Sequence, residues 1–394
     1  ETPASSRPDE ASGLKIGTAS KFCYICTTKL HILLVSTPRI MRIYLSRKLL
    51  ALTLALLLAS SMMMAQSKKQ VRLTVAFYNL ENLFDTIDGE NNDADFLPDG
   101  KNQWTPEKYK QKLHNMAYAI SQIGSKRGPD ILGVCEIENR GVLEDLLKEP
   151  ELADAGYEIV HFDSPDKRGI DCALLYRPRY YQLSDARPHP VRLKGEEYIK
   201  TRDVLEVNGL LLGEPVTFLV AHWPSRVGGE QVSLKRRLQA AEVMRSVTDS
   251  LLTADPKNKV ILMGDFNDDP TSPSVVEGLR SKGTTEGLSS TELYNPMAPL
   301  YTSGRGTLAY RDVWNLFDNI LVTPNLIAGS DDSLHLQSDK ASGHYGYIFN
   351  ADFLTQKTGH FKGYPFRTFS SGRFQGGYSD HYPVYLYLTK TIAE

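Results

Sequence analysis

Val260-Ile261-Leu262-Met263 runs directly into Gly264-Asp265-Phe266-Asn267-Asp268-Asp269-Pro270. A continuous apolar run of this kind reads as a strand buried on both faces, inside a sheet covered by other layers. The chain then releases a carboxylate at Asp265 and an amide at Asn267, and Pro270 stops further pairing. In extended chain those two side chains, two positions apart, point the same way. A buried strand that delivers an anion and an amide to its open end is a means of presenting catalytic groups. The plainer reading is a strand followed by an Asx-rich turn. The rest of the chain decides between them.

With 394 residues, 41% of them hydrophobic and 23% charged, the chain suits one large globular domain or two ordinary ones. Residues 1–40 show no sustained period and are set aside as an upstream leader. From Met41 the pattern is cleaner: Arg42, Arg47 and Lys48 precede an apolar stretch from Leu49 to Leu58, and small residues run to Ala65. The apolar stretch is short for a membrane span. Residues 41–65 therefore read as a cleaved signal peptide, which implies a secreted or periplasmic protein with no stable membrane anchor. The first 65 residues hold eight Lys/Arg and three Asp/Glu, so the remainder is more acidic than the formal charge of −2 suggests. That balance does not suit a non-specific polyanion binder, and any phosphate must be held by local basic groups or by a metal. Cys135 and Cys172 sit in apolar strand patterns and read as small buried thiols.

Alternating or continuous apolar patterns predict strands over 71–78, 131–135, 157–162, 170–176, 204–212, 217–221, 316–322 and 384–388. Pro106 after Thr105 opens a helix whose stripe is Tyr109, Leu113, Met116, Ala117 and Ile120. A second, longer helix carries Leu234, Leu238, Ala241, Met244 and Leu251, with Lys235, Arg236 and Arg237 near its start read as a solvated face. There is no internal repeat. Many strands with single helices between them fit two packed, mainly antiparallel sheets with helices outside, in one domain over 70–390.

Six of these strands end on, or carry, a metal-capable or hydrogen-bonding residue: Asn79 with Glu81, Glu136, His222, Asp265 with Asn267, Asp318, and Asp380 with His381. Turn chemistry alone does not account for six such strands in one domain. Tyr78-Asn79-Leu80-Glu81, Cys135-Glu136, Ala221-His222, Gly264-Asp265-Phe266-Asn267, Phe317-Asp318-Asn319 and Ser379-Asp380-His381 resemble the ordered motifs of the endonuclease/exonuclease/phosphatase superfamily. The resemblance implies an α/β fold, a four-layer α/β/β/α sandwich of deoxyribonuclease type, and metal-dependent phosphoester hydrolysis. Glu81 stands where several members have Asp, and Phe317-Asp318-Asn319 departs from the commoner pairing around that acid.

Carried onto these positions, the resemblance and the residue chemistry agree. Glu136 is the expected Mg²⁺ ligand, with Glu81 and Asp380 further ligands, and Mn²⁺ or Ca²⁺ are alternatives. His381 is the general base or a phosphate-polarising group, oriented by Asp318. Asp265 would orient or deprotonate the attacking water, Asn267 would fix a phosphate oxygen, and Asn79 and His222 would complete the donors. Which group takes the proton stays open. Arg168 and Arg226, on loops beside strand ends, are the candidates for touching substrate.

The leading expectation is a secreted nuclease that acts as a monomer on a phosphodiester, with nucleic acid as partner. A sphingomyelinase-type lipid phosphodiesterase would need an exposed apolar rim, for which the aromatic-rich 340–378 is the candidate. A phosphomonoesterase would need a dense basic pocket. A non-catalytic binding module on the same fold would show itself by loss of Asp265 or His381, and both are present.

Overall fold

Period-two alternation along the strands sorts the apolar side chains into three cores. The computed structural model describes residues 44, 47–54, 68–327, 329–370 and 372–393. The leader at 1–40 lies outside these residues, as does most of 41–65, of which 44 and 47–54 are helical. No helix among the described residues is long and apolar enough to cross a membrane.

The strands are β1 (Lys68–Leu83), β2 (Ile131–Ile137), β3 (Glu158–His161), β4 (Asp171–Tyr176), β5 (Tyr181–His189), β6 (Val204–Leu211), β7 (Glu214–His222), β8 (Lys259–Asp265) and β9 (Ser281–Lys282). There follow β10 (Leu293–Tyr294), β11 (Leu308–Tyr310), β12 (Val313–Asn315), β13 (Asp318–Val322), β14 (His335–Gln337), β15 (Gly346–Ile348), β16 (Phe369–Ser370), β17 (Arg373–Phe374) and β18 (Val384–Ala393). The α-helices of this unit are α1 (Pro106–Gln122), α2 (Arg140–Leu146), α3 (Glu230–Ala254) and α4 (Ala298–Thr302).

One seven-stranded sheet has the order β14-β18-β1-β2-β4-β3, with β15 also on β18; the other has the order β5-β6-β7-β8-β13-β10-β9. Most neighbours are antiparallel, but β1 with β2, β7 with β8 and β9 with β10 are parallel. The sheets and their helices form one compact unit, Lys69–Ile392.

The central core lies between the sheets, where Phe77, Phe218, Met263 and Leu386 meet. A second core packs the outer face of the first sheet, through Tyr78 and Val134, on Met116, Ile120 and Leu143 of α1 and α2. The third packs Leu219 and Leu262 under Ala240, Ala241 and Met244 of α3. The layers are therefore α/β/β/α, the arrangement the motifs implied. Burying one such side chain fully is worth roughly 1.5–3 kcal/mol.

Two elements differ from expectation. β5 has no apolar signature: Tyr181 is buried, Gln182 to Asp185 are exposed, and Pro188 lies within it. It is an edge strand, the one place in a sheet that tolerates proline. Arg237 is not solvated. Its Nε lies 2.6 Å from Asp268 Oδ2, and both side chains are fully buried. The basic run at the start of α3 thus contains an anchor for the loop that follows β8.

Candidate active site

The rows that build the central core end in polar side chains at one mouth. Ile261 and Met263 continue to Asp265; Val216, Phe218 and Val220 to His222; Leu73, Val75 and Phe77 to Asn79; Val322 and Ile320 to Asp318. Because β13 runs antiparallel to β8, its first residue stands beside the last of β8, and Asp318 pairs in register with Asp265. On the other flank the parallel register pairs His222 with Asp265.

Gly264 makes this junction possible. A Cβ there would fall 2.1 Å from the Ala221 carbonyl oxygen and 2.8 Å from the Phe266 ring. Phe266 in turn stacks on Trp223, with ring centroids 4.2 Å apart and planes 12° from parallel. The residues after Asp265 and after His222 are thus packed on one another.

Two acids reach the mouth by irregularity. Cys135 faces the central core, so in a regular strand Glu136 would face away. A left-handed backbone at Glu136 (φ 57°) and a register shift between Cys135 and Ile137 turn it back. Glu81 (φ 46°) and Asn82 (φ 52°) lie in a matching shift of β1 between Asn79 and Leu83. Such backbone in non-glycine residues costs on the order of 1–3 kcal/mol each, and here it gathers at one end of the fold.

Asp265 Oδ2 is the centre of the polar cluster. It accepts a hydrogen bond from Asn79 Nδ2 at 3.0 Å and lies 3.5 Å from His222 Nε2 and 3.8 Å from His381 Nε2. His381 Nδ1 is 2.7 Å from Asp318 Oδ2. Glu136 Oε1 is 3.9 Å from His222 Nε2, and its Oε2 accepts from the Asn82 amide at 3.0 Å. The Ser379 hydroxyl donates to the Asn79 carbonyl at 2.7 Å and accepts from the His381 amide at 3.1 Å, which ties the Ser-Asp-His turn to β1.

Electrostatics drive the two imidazoles apart. Burial, then the cationic side chains of Arg202 and Arg168, hold His222 well below the usual histidine range, so it is neutral. Burial also opposes the charged form of His381, but the carboxylates of Asp318 and Asp265 outweigh it and raise that ring well above the usual range. Burial pushes Asp265 up, partly offset by His381. His222 Nδ1 and Asp318 Oδ1 are buried without a hydrogen-bond partner.

Glu136, Glu81 and Asp380 supply hard carboxylate oxygens, the donors a divalent ion such as Mg²⁺ takes. Burial, and next the charge of Asp380, push Glu81 upward against the pull of Lys112 and Arg367. For Asp380, burial is outweighed by Arg367, His381 and Lys112, and the group is lowered. The two acids are already opposed by two cations, since Arg367 bridges them and Lys112 lies beside them; an ion held there would compete with Arg367 for their oxygens. Among the described residues, the group at the mouth whose ligand atoms lie within 4.8 Å of one another is Asp265, Asp318 and His381, in which the His381–Asp318 hydrogen bond is internal; Glu81, Glu136 and Asp380 are not gathered that closely.

Asn267 is placed differently from the extended-chain expectation. The strand ends at Asp265, Asn267 is left-handed (φ 50°), and its Nδ2 donates to the Trp223 carbonyl at 3.0 Å. Its backbone N–H donates to Asp265 Oδ1 at 2.9 Å. Arg168 lies beside the mouth, donating to Asn82 Oδ1, with Nη2 3.5 Å from Glu136 Oε2. Arg226 is engaged elsewhere. It meets Asp268 at 3.0 Å, Asp269 at 3.1 Å and Glu230 at 3.1 Å, and it stacks on Phe317. Its donors hold the loop after β8.

Three residues at the mouth have no counterpart in the sequence reading. Arg367 bridges Glu81 (Nε to Oε1, 3.3 Å) and Asp380 (Nη2 to Oδ2, 2.9 Å). The Thr368 amide donates to Glu81 Oε2 at 2.6 Å, and the buried Lys112 donates to Thr368 Oγ1 at 2.6 Å. Arg367 and Thr368 sit in an irregular segment without periodicity. Lys112 was a visible anomaly, a lysine directly before Leu113 on the apolar stripe of α1.

A two-sheet sandwich with a His–Asp pair, a second imidazole and clustered carboxylates at one mouth defines a class of phosphoester hydrolases. The chain belongs to the Endonuclease/Exonuclease/phosphatase family, whose model matches residues 74–390. That membership supports a metal-dependent phosphoester hydrolase. No curated protein matches by sequence. Among solved structures, D. rerio TDP2 humanized by 14 mutations is similar at 13% identity, with 80% of this chain and 98% of that one covered and a TM-score of 0.50, which shows the shared fold. An endonuclease/exonuclease/phosphatase family protein from Bacteroides thetaiotaomicron is similar at 18% identity (82% and 97% covered, TM-score 0.48). The human Nocturnin catalytic domain with bound sulfate is similar at 15% (82% and 98%, TM-score 0.47).

Proposed function

We propose that the chain is an exported, Mg²⁺-dependent phosphodiester hydrolase acting on nucleic acid. The observation that carries this reading is the convergence on one oxygen: Asp265 Oδ2 with Asn79, His222 and His381 all within 3.8 Å. Asp265, raised by burial, orients the attacking water and accepts its proton. The Asn79 side chain and the Asn267 amide fix the two carboxylate oxygens for that task. His381, kept cationic by Asp318, faces the phosphate and stabilises its developing charge, while neutral His222 donates from Nε2. Glu136, Glu81 and Asp380 would hold the metal ion, which when bound neutralises phosphate charge as a Lewis acid.

The lipid-hydrolase alternative has less support. Apart from Phe361, the large aromatics of the segment 340–378 are at least partly buried: Phe369 lies 5.6 Å from Trp104 and Tyr378 lies 5.3 Å from Phe353, centroid to centroid. Export rests on the segment 41–65, and N-terminal sequencing of the exported protein should begin just after Ala65. A panel of duplex DNA, single-stranded DNA, RNA, sphingomyelin and inositol phosphates tests the substrate class. Preferential cleavage of nucleic acid is expected, and preference for sphingomyelin or inositol phosphates would overturn it.

A further inference from the structure

Arg367 and Asp380, at the mouth, also line a separate cavity of about 360 Å³. A larger one, about 890 Å³ along α3 at Leu238, Arg245 and Asp249, contains no residue of the mouth. The smaller cavity is walled by the β11–β12 hairpin, through Tyr310 and Arg311, and by Phe361 and Tyr364 from the following segment.

The hairpin tip is built with unusual residues. Tyr310 pairs with Val313, so the loop is only Arg311-Asp312, and both are left-handed (φ 51° and 62°). Asn-Gly or Asp-Gly is the ordinary choice for such a turn. Tyr364 pins the strained pair: its hydroxyl donates to Asp312 Oδ1 at 2.6 Å and accepts from the Asp312 amide at 2.7 Å. Arg311 lies over the Tyr310 ring at 5.2 Å, and the Phe361 and Tyr364 rings are 5.6 Å apart. Tyr310 and Phe361 are 64% and 39% exposed, large aromatic faces left open to a cavity that adjoins the chemistry. The lining is mixed in charge: Arg311 and Arg367 stand with Asp312 and Asp380, Arg367 is paired with Glu81 and Asp380, and Lys357 with Asp352. Residues 353–379 hold Lys357, Lys362, Arg367 and Arg373 and no Asp or Glu, in a chain that is acidic overall.

We propose that this cavity receives the nucleoside joined to the scissile phosphate, with its base against Tyr310 and Phe361. The proposal rests on the phosphodiesterase reading above and names the substrate class for the same site. Aromatic faces take any base by stacking, and flanking cations follow the phosphate chain. Pockets for small organic groups begin near about 300 Å³, so this one admits a single unstacked nucleoside and excludes a stacked base pair. The substrate is therefore a single strand or a short oligonucleotide.

The test compares four chromogenic diesters with the same leaving group, in Mg²⁺: methyl p-nitrophenyl phosphate, the thymidine 5′- and 3′-(p-nitrophenyl phosphates), and glucose 6-(p-nitrophenyl phosphate). Wild-type enzyme should favour one thymidine ester over the methyl ester by roughly 10-fold or more in kcat/KM, and which ester wins tells on which side of the phosphate the pocket lies. Tyr310→Ala and Phe361→Ala, both at exposed positions, should remove most of that preference and leave the methyl ester rate unchanged. Equal rates on all four, or a glucose ester preferred to both thymidine esters, would overturn the nucleoside pocket while leaving phosphodiester hydrolysis intact. No hydrolysis of any of them would instead remove the phosphodiesterase reading itself. Duplex and single-stranded oligonucleotides form the final arm, and faster cleavage of duplex contradicts the proposal.

Discussion

Asp265 and Asp318 stand opposite each other on adjacent antiparallel strands, both buried, and His381 approaches both, at 3.8 Å and 2.7 Å. Like charges directly across a strand pair are destabilising, so the imidazolium serves as a structural counter-charge whatever its part in the proposed chemistry. Removing it should leave two buried acids face to face. His381→Ala is expected to cost the metal-free protein about 3–5 kcal/mol in urea denaturation. His381→Ala combined with Asp318→Asn should recover part of the loss. A His381→Ala protein as stable as wild type would show that the counter-charge role is wrong.

Gly264 is required by close approach rather than by backbone freedom. The Ala221 carbonyl lies 2.1 Å from where a Cβ would be, and that atom belongs to the neighbouring strand, which cannot swing aside. Gly264→Ala should lose roughly 1–3 kcal/mol or more and should also lower turnover, because the shift acts one residue from Asp265. Unchanged thermal stability would count against the register described.

The pair Arg237–Asp268 is fully buried beneath the loop that carries Asn267. Arg237→Met removes the fully buried cation and leaves Asp268 to Arg226 and the Ser274 hydroxyl; it is expected to cost up to about 3–5 kcal/mol, whereas Arg237→Met with Asp268→Leu should be less damaging than the single change. Calorimetric midpoints of the three proteins check the order. A double variant worse than the single one would assign the loss to packing instead.

Glu138 supplies a test in pH. Burial pushes its carboxyl up to about 6, although it accepts hydrogen bonds from Asn91 and from the Asp85 amide. Its folded value is above the unfolded value of about 4.3, so the folded state holds the proton more tightly. The stability from this group is fully present below about pH 4 and is lost as pH rises through about 6. Relative to wild type, Glu138→Gln should therefore gain stability on going from pH 5 to pH 8, by about 1 kcal/mol. A difference between the two proteins that does not vary with pH would contradict the assignment.

Much of the site was legible because its residues extend rows already written in the alternation. Asn79, His222, Asp265 and Asp318 each continue a line of central-core side chains, and a pattern of period two carries that information. Glu81 and Glu136 were identifiable as residue types, but their orientation was not, since a left-handed residue at a register shift reverses what alternation implies. Arg237 was misread because a run of three basic residues says nothing of a buried acid thirty positions on. Arg367 lies in a segment whose placement is set by hydrogen bonds to Glu81 and Asp380 rather than by local propensity. The edge strand β5 lacked a signal because one face meets solvent and its ladder tolerates Pro188.

Arg367 stands between the carboxylates assigned to the metal and the cavity walled by Tyr310 and Phe361. Arg367→Ala is expected to raise KM for a phosphodiester severalfold while weakening discrimination between nucleoside and methyl esters. Steady-state kinetics on both substrates check this, and an unchanged KM on each would remove the residue from the substrate path.

The measurement closest to the central claim is the hydrolysis of a simple phosphodiester by wild type and by Asp265→Asn, each with Mg²⁺ and after chelation. Wild type with Mg²⁺ should turn over, chelation should abolish the activity reversibly, and Asp265→Asn should lose on the order of 10²–10⁴-fold in kcat while remaining folded. Near-wild-type turnover by Asp265→Asn, or activity indifferent to chelation, would contradict the account.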